Sequence, residues 1–242
     1  MKICVAQTRP LRGDIHRNID NHKRFISRAA SHRADLIFFP ELSITGYEPE
    51  LAAELATHPG DSRLDIFQAL ADRHRITIAA GLPTKDDPRP AISMVLFQPN
   101  RPRQAHAKKY LHADEEPFFS RGQSSVGLVG DQANIALAIC YEISVPEHAR
   151  QAFESGARIY VACVAKTTAG VEQAGKRLSA IADQYSMTVL MANSVGASGD
   201  GVCGGTSAVW NDRGLLLGQL DDTSEGLLTF DTATQEVIQE TI

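Results

Sequence analysis

Three residues of this chain, Glu41, Lys109 and Cys140, carry complementary chemistry. A thiol with an ordinary pKa of about 8.5 needs a base or a cation beside it to act as a nucleophile at neutral pH. A carboxylate takes that proton if burial lifts its own pKa from roughly 4.3. An ammonium can orient the carboxylate and stabilise the oxyanion formed when sulfur attacks a carbonyl or nitrile carbon. The backbone N–H of Tyr141, at the start of an incoming helix, is a natural second donor. Plainer readings stand beside these: Cys140 as a small apolar plug, Glu41 as an acid before the turn-like LSITGY, and Lys108 with Lys109 as a solvated basic pair.

The elements that must position these groups are apolar runs with many β-branched residues. They are KICVAQ, DLIFFPE, ITIAAG, ISMVLFQ, NIALAIC, RIYVAC, TVLMAN, SAVW and GLLTF, with a further strand expected through Gln104 to Lys108. Amphipathic stretches lie between them at Asn18 to His32, Asp61 to His74, Pro146 to Ser155 and Gly170 to Ser186. Asp61 reads as an N-cap, with Leu64, Phe67, Leu70 and Ala71 on one helical face. The alternation predicts an α/β protein. Glu41, Lys109 and Cys140 all fall at carboxyl ends of strands, where α/β sheets assemble their sites, so they can converge from distant positions.

The chain has 242 residues, and a single domain over 1–242 is expected. A net charge of −5 and the lack of Lys/Arg runs argue against nucleic acid as a partner. No signal-peptide pattern opens the chain and no apolar run approaches the roughly 20 residues that span a bilayer, so a cytoplasmic protein without membrane contact is expected. Cys4, Cys140, Cys163 and Cys203 form no CxxC pair, which argues against zinc and for free thiols.

FPELSITGY, KKYLHADEEPFFSRG and ICYEISVPEHAR together resemble the three catalytic signatures of the nitrilase, or carbon-nitrogen hydrolase, superfamily, and the resemblance runs from the VAQ of the first strand to GGTSAVWNDRG. It implies an α-β-β-α sandwich, completed to α-β-β-α-α-β-β-α by dimerisation, and a triad of Glu41, Lys109 and Cys140. Lys109 is preferred to Lys108 because the family motif sets lysine before an aromatic or polar residue and Leu, here Tyr110-Leu111. A second glutamate is implied in EEPFFSRG. Aligning Phe119 and Gly122 with the aromatic-x-x-Gly element selects Glu115, with Glu116 as the fallback. The implied activity is hydrolysis of a small linear carboxamide through a cysteine thioester, with no cofactor or metal, in a homodimer or higher homo-oligomer. An N-carbamoyl amine substrate and a catalytically idle scaffold of the same fold are the alternatives.

Glu142, Glu147 and Arg150 match the signature after the cysteine and read as groups that fix the strand-to-helix turn. The remaining cysteines read as structural. GDGVCG fits GxGxxG, but GTSAVW after it reads as a strand, and a phosphate loop needs a helix N-terminus there. GASGD departs from the GxSxG elbow at Asp200. Glu48, Glu50, Asp114 and Glu172 read as surface charges rather than an acidic pocket mouth. Pocket residues are expected from the loops SITGYEPE, HADEEPFF and AKTTAGVEQ.

Overall fold

In the computed structural model, which describes residues 1–123, 127–129, 134–199 and 201–242, the layers follow from strands buried on both faces. The strands are β1 (Lys2–Gln7), β2 (Leu36–Phe38), β3 (Thr77–Thr84), β4 (Ala91–Phe97), β5 (Gln104–Ala107), β6 (Gly127–Val129), β7 (Ile135–Ile139), β8 (Ile159–Val164), β9 (Thr188–Asn193), β10 (Val195–Ser198), β11 (Gly201–Gly204), β12 (Ala208–Trp210), β13 (Leu216–Gln219), β14 (Gly226–Asp231) and β15 (Val237–Thr241). The helices are α1 (Ile15–Ser31), α2 (Ala52–Leu55), α3 (Asp65–His74), α4 (Pro146–Glu154) and α5 (Thr168–Tyr185).

Successive side chains on a strand point to opposite faces. Ile3 and Val5 of β1 therefore join Ile135, Leu137 and Ile139 of β7 in one core between the sheets. Cys4 and Ala6 face the other way, into a cluster with Ile19, Phe25 and Phe67 from α1 and α3. Ala136 and Ala138 of β7 pack with Ala149, Leu178 and Ala182 from α4 and α5. The result is helix, sheet, sheet, helix: the α-β-β-α sandwich.

One sheet has the order β15-β14-β1-β2-β3-β4-β5 and the other β13-β12-β9-β8-β7-β6. The triplets β1-β2-β3 and β7-β8-β9 are parallel, and strands of that kind are covered on both faces and read as unbroken apolar runs. Their carboxyl ends emerge together. β5 reaches the same end because it pairs antiparallel with β4, which pairs antiparallel with β3.

Local signals set the helix ends. Asp14 caps α1 by accepting from Arg17 N at 3.1 Å, so the helix begins three residues before the Asn18 expected from periodicity. Asp61 accepts from Arg63 N at 2.8 Å and opens a 3₁₀ turn, Ser62–Leu64, that leads into α3. Pro146 occupies the first turn of α4, where its missing N–H costs nothing. Gly201 to Gly204 of GDGVCG form β11, which pairs with β10 and is followed by β12, and this removes the phosphate-loop reading. Asp200 of GASGD lies outside the described residues. Among the described residues no helix is long and apolar enough to cross a membrane.

Candidate active site

Glu41 lies just beyond β2, on a loop pressed against β3. A Cβ on Gly81 would stand 2.5 Å from both Leu42 N and Pro40 O, so only glycine admits this approach. Ile44 N donates to Gly81 O at 3.0 Å and locks the contact. Gly81→Ala is expected to cost about 1 to 3 kcal/mol through overpacking, and to lower activity by moving Glu41. Urea unfolding and turnover measured together check this.

His22 of α1 supports the same loop from behind. Its ring is buried, with Nδ1 2.7 Å from Asn18 O and Nε2 2.9 Å from Ser43 Oγ. A carbonyl only accepts, so Nδ1 carries the proton and Nε2 accepts from Ser43. Burial pushes His22 down to about 4, with the Asn18 hydrogen bond opposing. A base depressed on folding gives stability that is present above its unfolded pKa near 6.5 and lost as pH falls through about 4. The stability advantage of the wild type over His22→Gln should therefore shrink by about 3 kcal/mol between pH 7 and pH 4. Chemical denaturation of both proteins across that range tests it.

The structure brings Lys108, rather than the Lys109 expected from the sequence, against Glu41 and Glu115. Lys108 is fully buried, and its Nζ donates to Glu41 Oε1 at 2.7 Å and to Glu115 Oε1 at 2.6 Å. Strand alternation is the cause. His106 and Lys108 share the buried side of β5 and its extension, held by Lys108 N donating to Ile92 O at 2.8 Å. Lys109 points the other way and sets its ammonium over the Tyr110 ring, 5.4 Å from the centroid. Gly122 N donates to Lys108 O at 2.7 Å, and a Cβ on Gly122 would lie 2.4 Å from Ala107 O. The aromatic-x-x-Gly element is thus the floor under the lysine.

Glu115 is buried and accepts also from Tyr47 OH at 3.1 Å and from His112 N at 2.8 Å. Glu116 is exposed and pairs with Arg121, so it does not enter the site.

Cys140 follows β7 at φ 42°, a left-handed conformation that costs a non-glycine residue roughly 1 to 2 kcal/mol. It opens a 3₁₀ turn, Cys140–Ser144, that precedes α4, so Tyr141 N belongs to this turn rather than to the helix. Glu142 holds the turn: its Oε2 accepts from Ile139 N at 2.8 Å and its Oε1 from Lys109 N at 2.7 Å. One carboxylate thereby ties the cysteine turn to the lysine segment. Burial pushes Glu142 up to about 7 against those hydrogen bonds. Glu147 and Arg150 do not share this task. Both are exposed on α4, and Arg150 pairs with Glu154 at 3.0 Å.

Electrostatics set the resting state. Burial pushes the Cys140 thiol up to about 12, Glu41 pushes the same way, and Lys166 and Lys108 oppose. Burial also raises Glu41, against the pull of Lys108. Burial alone would depress Lys108, but Glu41, Cys140 and Glu115 hold it above its ordinary value. The site therefore rests with a neutral thiol, a charged lysine and a carboxylate ready to accept a proton. Glu41 Oε2 is buried and has no hydrogen-bond partner among the described residues. An unpaired buried oxygen is costly, which marks Glu41 as a candidate functional group.

Cys4, Cys163 and Cys203 are buried at 1% exposure or less, and burial raises all three thiols. Of the acids weighed at the pocket mouth, Glu48 is buried against Arg12, whereas Asp114 and Glu172 are exposed and pair with His112 and Lys176. Among the described residues no group of His, Cys, Asp and Glu side chains is gathered as a metal site. Sequence reasoning included Tyr47 and Lys166 in the loops SITGYEPE and AKTTAGVEQ expected to line the pocket, but singled out neither residue.

The sequence model of the carbon-nitrogen hydrolase family matches residues 2–241. The chain is 25% identical over 249 residues to the "Hydrolase in agr operon" of Staphylococcus aureus, covering 99% of this chain and 94% of the relative. It is 27% identical over 217 residues to an (R)-stereoselective amidase of a Pseudomonas species, covering 86% and 77%. An amidase from Nesterenkonia sp. AN1 superposes with a TM-score of 0.86 at 25% identity, covering 95% of this chain and 89% of that one. The latter is a mutant that shows covalent addition of the acetamide moiety of fluoroacetamide at the active-site cysteine.

Proposed function

This chain belongs to the carbon-nitrogen hydrolase family, and from that premise we propose that it hydrolyses a small linear carboxamide through a thioester on Cys140. The observation that carries the reading is the buried ammonium of Lys108 bridging Glu41 and Glu115, with Glu41 Oε2 left open.

Sγ of Cys140 attacks the amide carbon as its proton passes to Glu41. The carbonyl oxygen becomes an oxyanion, stabilised by the Lys108 ammonium and the Tyr141 N–H, whose place in the first turn leaves it without an intrahelical acceptor. Glu41 returns the proton to the leaving nitrogen, the C–N bond breaks, and ammonia departs to leave a thioester. Water then attacks the thioester while Glu41 takes its proton. The C–S bond breaks, the acid is released, and the proton returns to sulfur. Glu115 positions Lys108 throughout. Because the thiol rests protonated, transfer to Glu41 must accompany attack, and a raised Glu41 places the acid limb of kcat/KM above the ordinary carboxylate range.

Ammonia release from short aliphatic amides, ω-amidated acids, N-carbamoyl amines and nitriles tests the reading. Amide turnover without carbon dioxide supports it; release of carbon dioxide with ammonia moves the substrate to the carbamoyl class. A folded protein that turns over none of them contradicts it. A homodimer joined through α4 and α5 belongs to the same reading, and would cover Phe153, 41% exposed, and its neighbour Tyr185. A monomer in sedimentation velocity would rule that assembly out.

A further inference from the structure

The amide chemistry accounts for Lys108 but leaves a second lysine beside Cys140 without a task. Ile139 pairs in register with Cys163 on β8, so Cys140 and Lys166 leave adjacent parallel strands at the same end of the sheet. The backbone of Lys166 is pinned: its N donates to Asn193 Oδ1 at 2.8 Å, and its O accepts from Asn193 Nδ2 at 3.2 Å and Gly204 N at 3.0 Å. Its stem runs along the first turn of α5, with Cδ 4.0 Å from where a Cβ on Gly170 would stand. The side chain is half-buried.

Among the described residues its charge has no partner. Lys108 is saturated by two carboxylates, whereas the Lys166 ammonium makes no hydrogen bond or ion pair with any described residue. Its effect reaches the nucleophile all the same, because Lys166 draws the Cys140 thiol down more strongly than Lys108 does, against burial and Glu41. A half-buried cation held by its backbone at the proposed reacting centre, with no anion among the described residues to meet it, is matched by an anion on what binds there. Without it, Glu41 and Glu115 against the single charge of Lys108 would repel an anionic substrate.

Resting on the amidase reading, we propose that Lys166 selects the substrate, pairing with a carboxylate at the far end of the acyl chain. The preferred substrates are then ω-amidated dicarboxylic acids rather than neutral aliphatic amides. The chemistry at the amide is unchanged; Lys166 fixes the acyl chain so that the carbonyl carbon faces Sγ.

The test compares amides of matched length, succinamate with butyramide and glutaramate with valeramide. Wild type should favour the carboxylated member of a pair by about 30-fold or more in kcat/KM, as expected for a desolvated charge pair. In Lys166→Met that ratio should fall to about one or below, chiefly through KM, and Lys166→Arg should restore much of it. A ratio that stays the same while both substrates slow in parallel would show that Lys166 acts only on the thiol, and would overturn the proposal. Succinate binding to Cys140→Ala by calorimetry gives a readout independent of turnover: it should weaken by about tenfold or more when Lys166→Met is added. Neutral amides hydrolysed as well as carboxylated ones would sink the proposal and leave the amidase reading standing. Succinate binding that ignores Lys166 would sink it even in an inactive protein, and an inactive protein would count separately against the amidase reading.

Discussion

Cys140→Ala is expected to abolish ammonia release, by about 10⁴-fold or more, because nucleophile, thioester and leaving-group proton transfer disappear together. Cys140→Ser should be nearly as inactive, since a hydroxyl is harder to deprotonate than the thiol and Glu41 is too weak a base to do it readily. A stability effect accompanies the loss. At φ 42°, Cys140 sits where a Cβ is unfavourable, so Cys140→Gly should be more stable than Cys140→Ala by about 1 kcal/mol, the reverse of the usual order in helices and strands. Thermal unfolding of the two variants measures it. Equal stability would mean that the turn relaxes rather than holding the thiol under strain.

Lys108→Met is the second large effect. It removes the cation between two fully buried carboxylates and should cost about 3 to 5 kcal/mol, with activity falling by about 10³-fold or more as Glu41 loses its partner and the oxyanion its charge. Either carboxylate would bind a proton to survive burial, so the variant should be least unstable in acid. Lys109→Met is the matched control. Its ammonium rests on the Tyr110 ring at the site's edge, and its loss should change stability by less than about 1 kcal/mol. Turnover that survives Lys108→Met and fails in Lys109→Met would invert this assignment.

This pair also shows where the sequence is legible. The strands buried on both faces, β1, β2, β4, β7, β8 and β9, stand out as unbroken apolar runs, and Glu41 and Cys140 follow β2 and β7 closely. β13 and β15 lie at sheet edges with largely exposed residues, and β10 and β11 lie in a glycine-rich hairpin, so no apolar pattern announces them. Choosing between Lys108 and Lys109 required strand register. The motif letters around Tyr110-Leu111 favour Lys109, whereas the alternation of His106 with Lys108 marks the lysine that the structure buries between the two glutamates. Glu115 was separable from Glu116 by its spacing to Phe119 and Gly122, because that spacing reflects a turn, His112 to Phe119, closed by Glu115 accepting from His112 N. Lys166 was legible only as a member of the pocket loop AKTTAGVEQ, because what sets it apart is the lack of a partner among the described residues, which only three dimensions reveal.

The central claim is that amide cleavage passes through a thioester on Cys140, and partitioning with hydroxylamine tests it most directly. Two amides that share an acyl group but differ in the leaving amine are hydrolysed in hydroxylamine, and hydroxamate is measured against free acid. A common thioester predicts the same ratio from both amides, and loss of both products in Cys140→Ala. A ratio that changes with the leaving amine, or hydroxamate still formed by Cys140→Ala, would contradict the account.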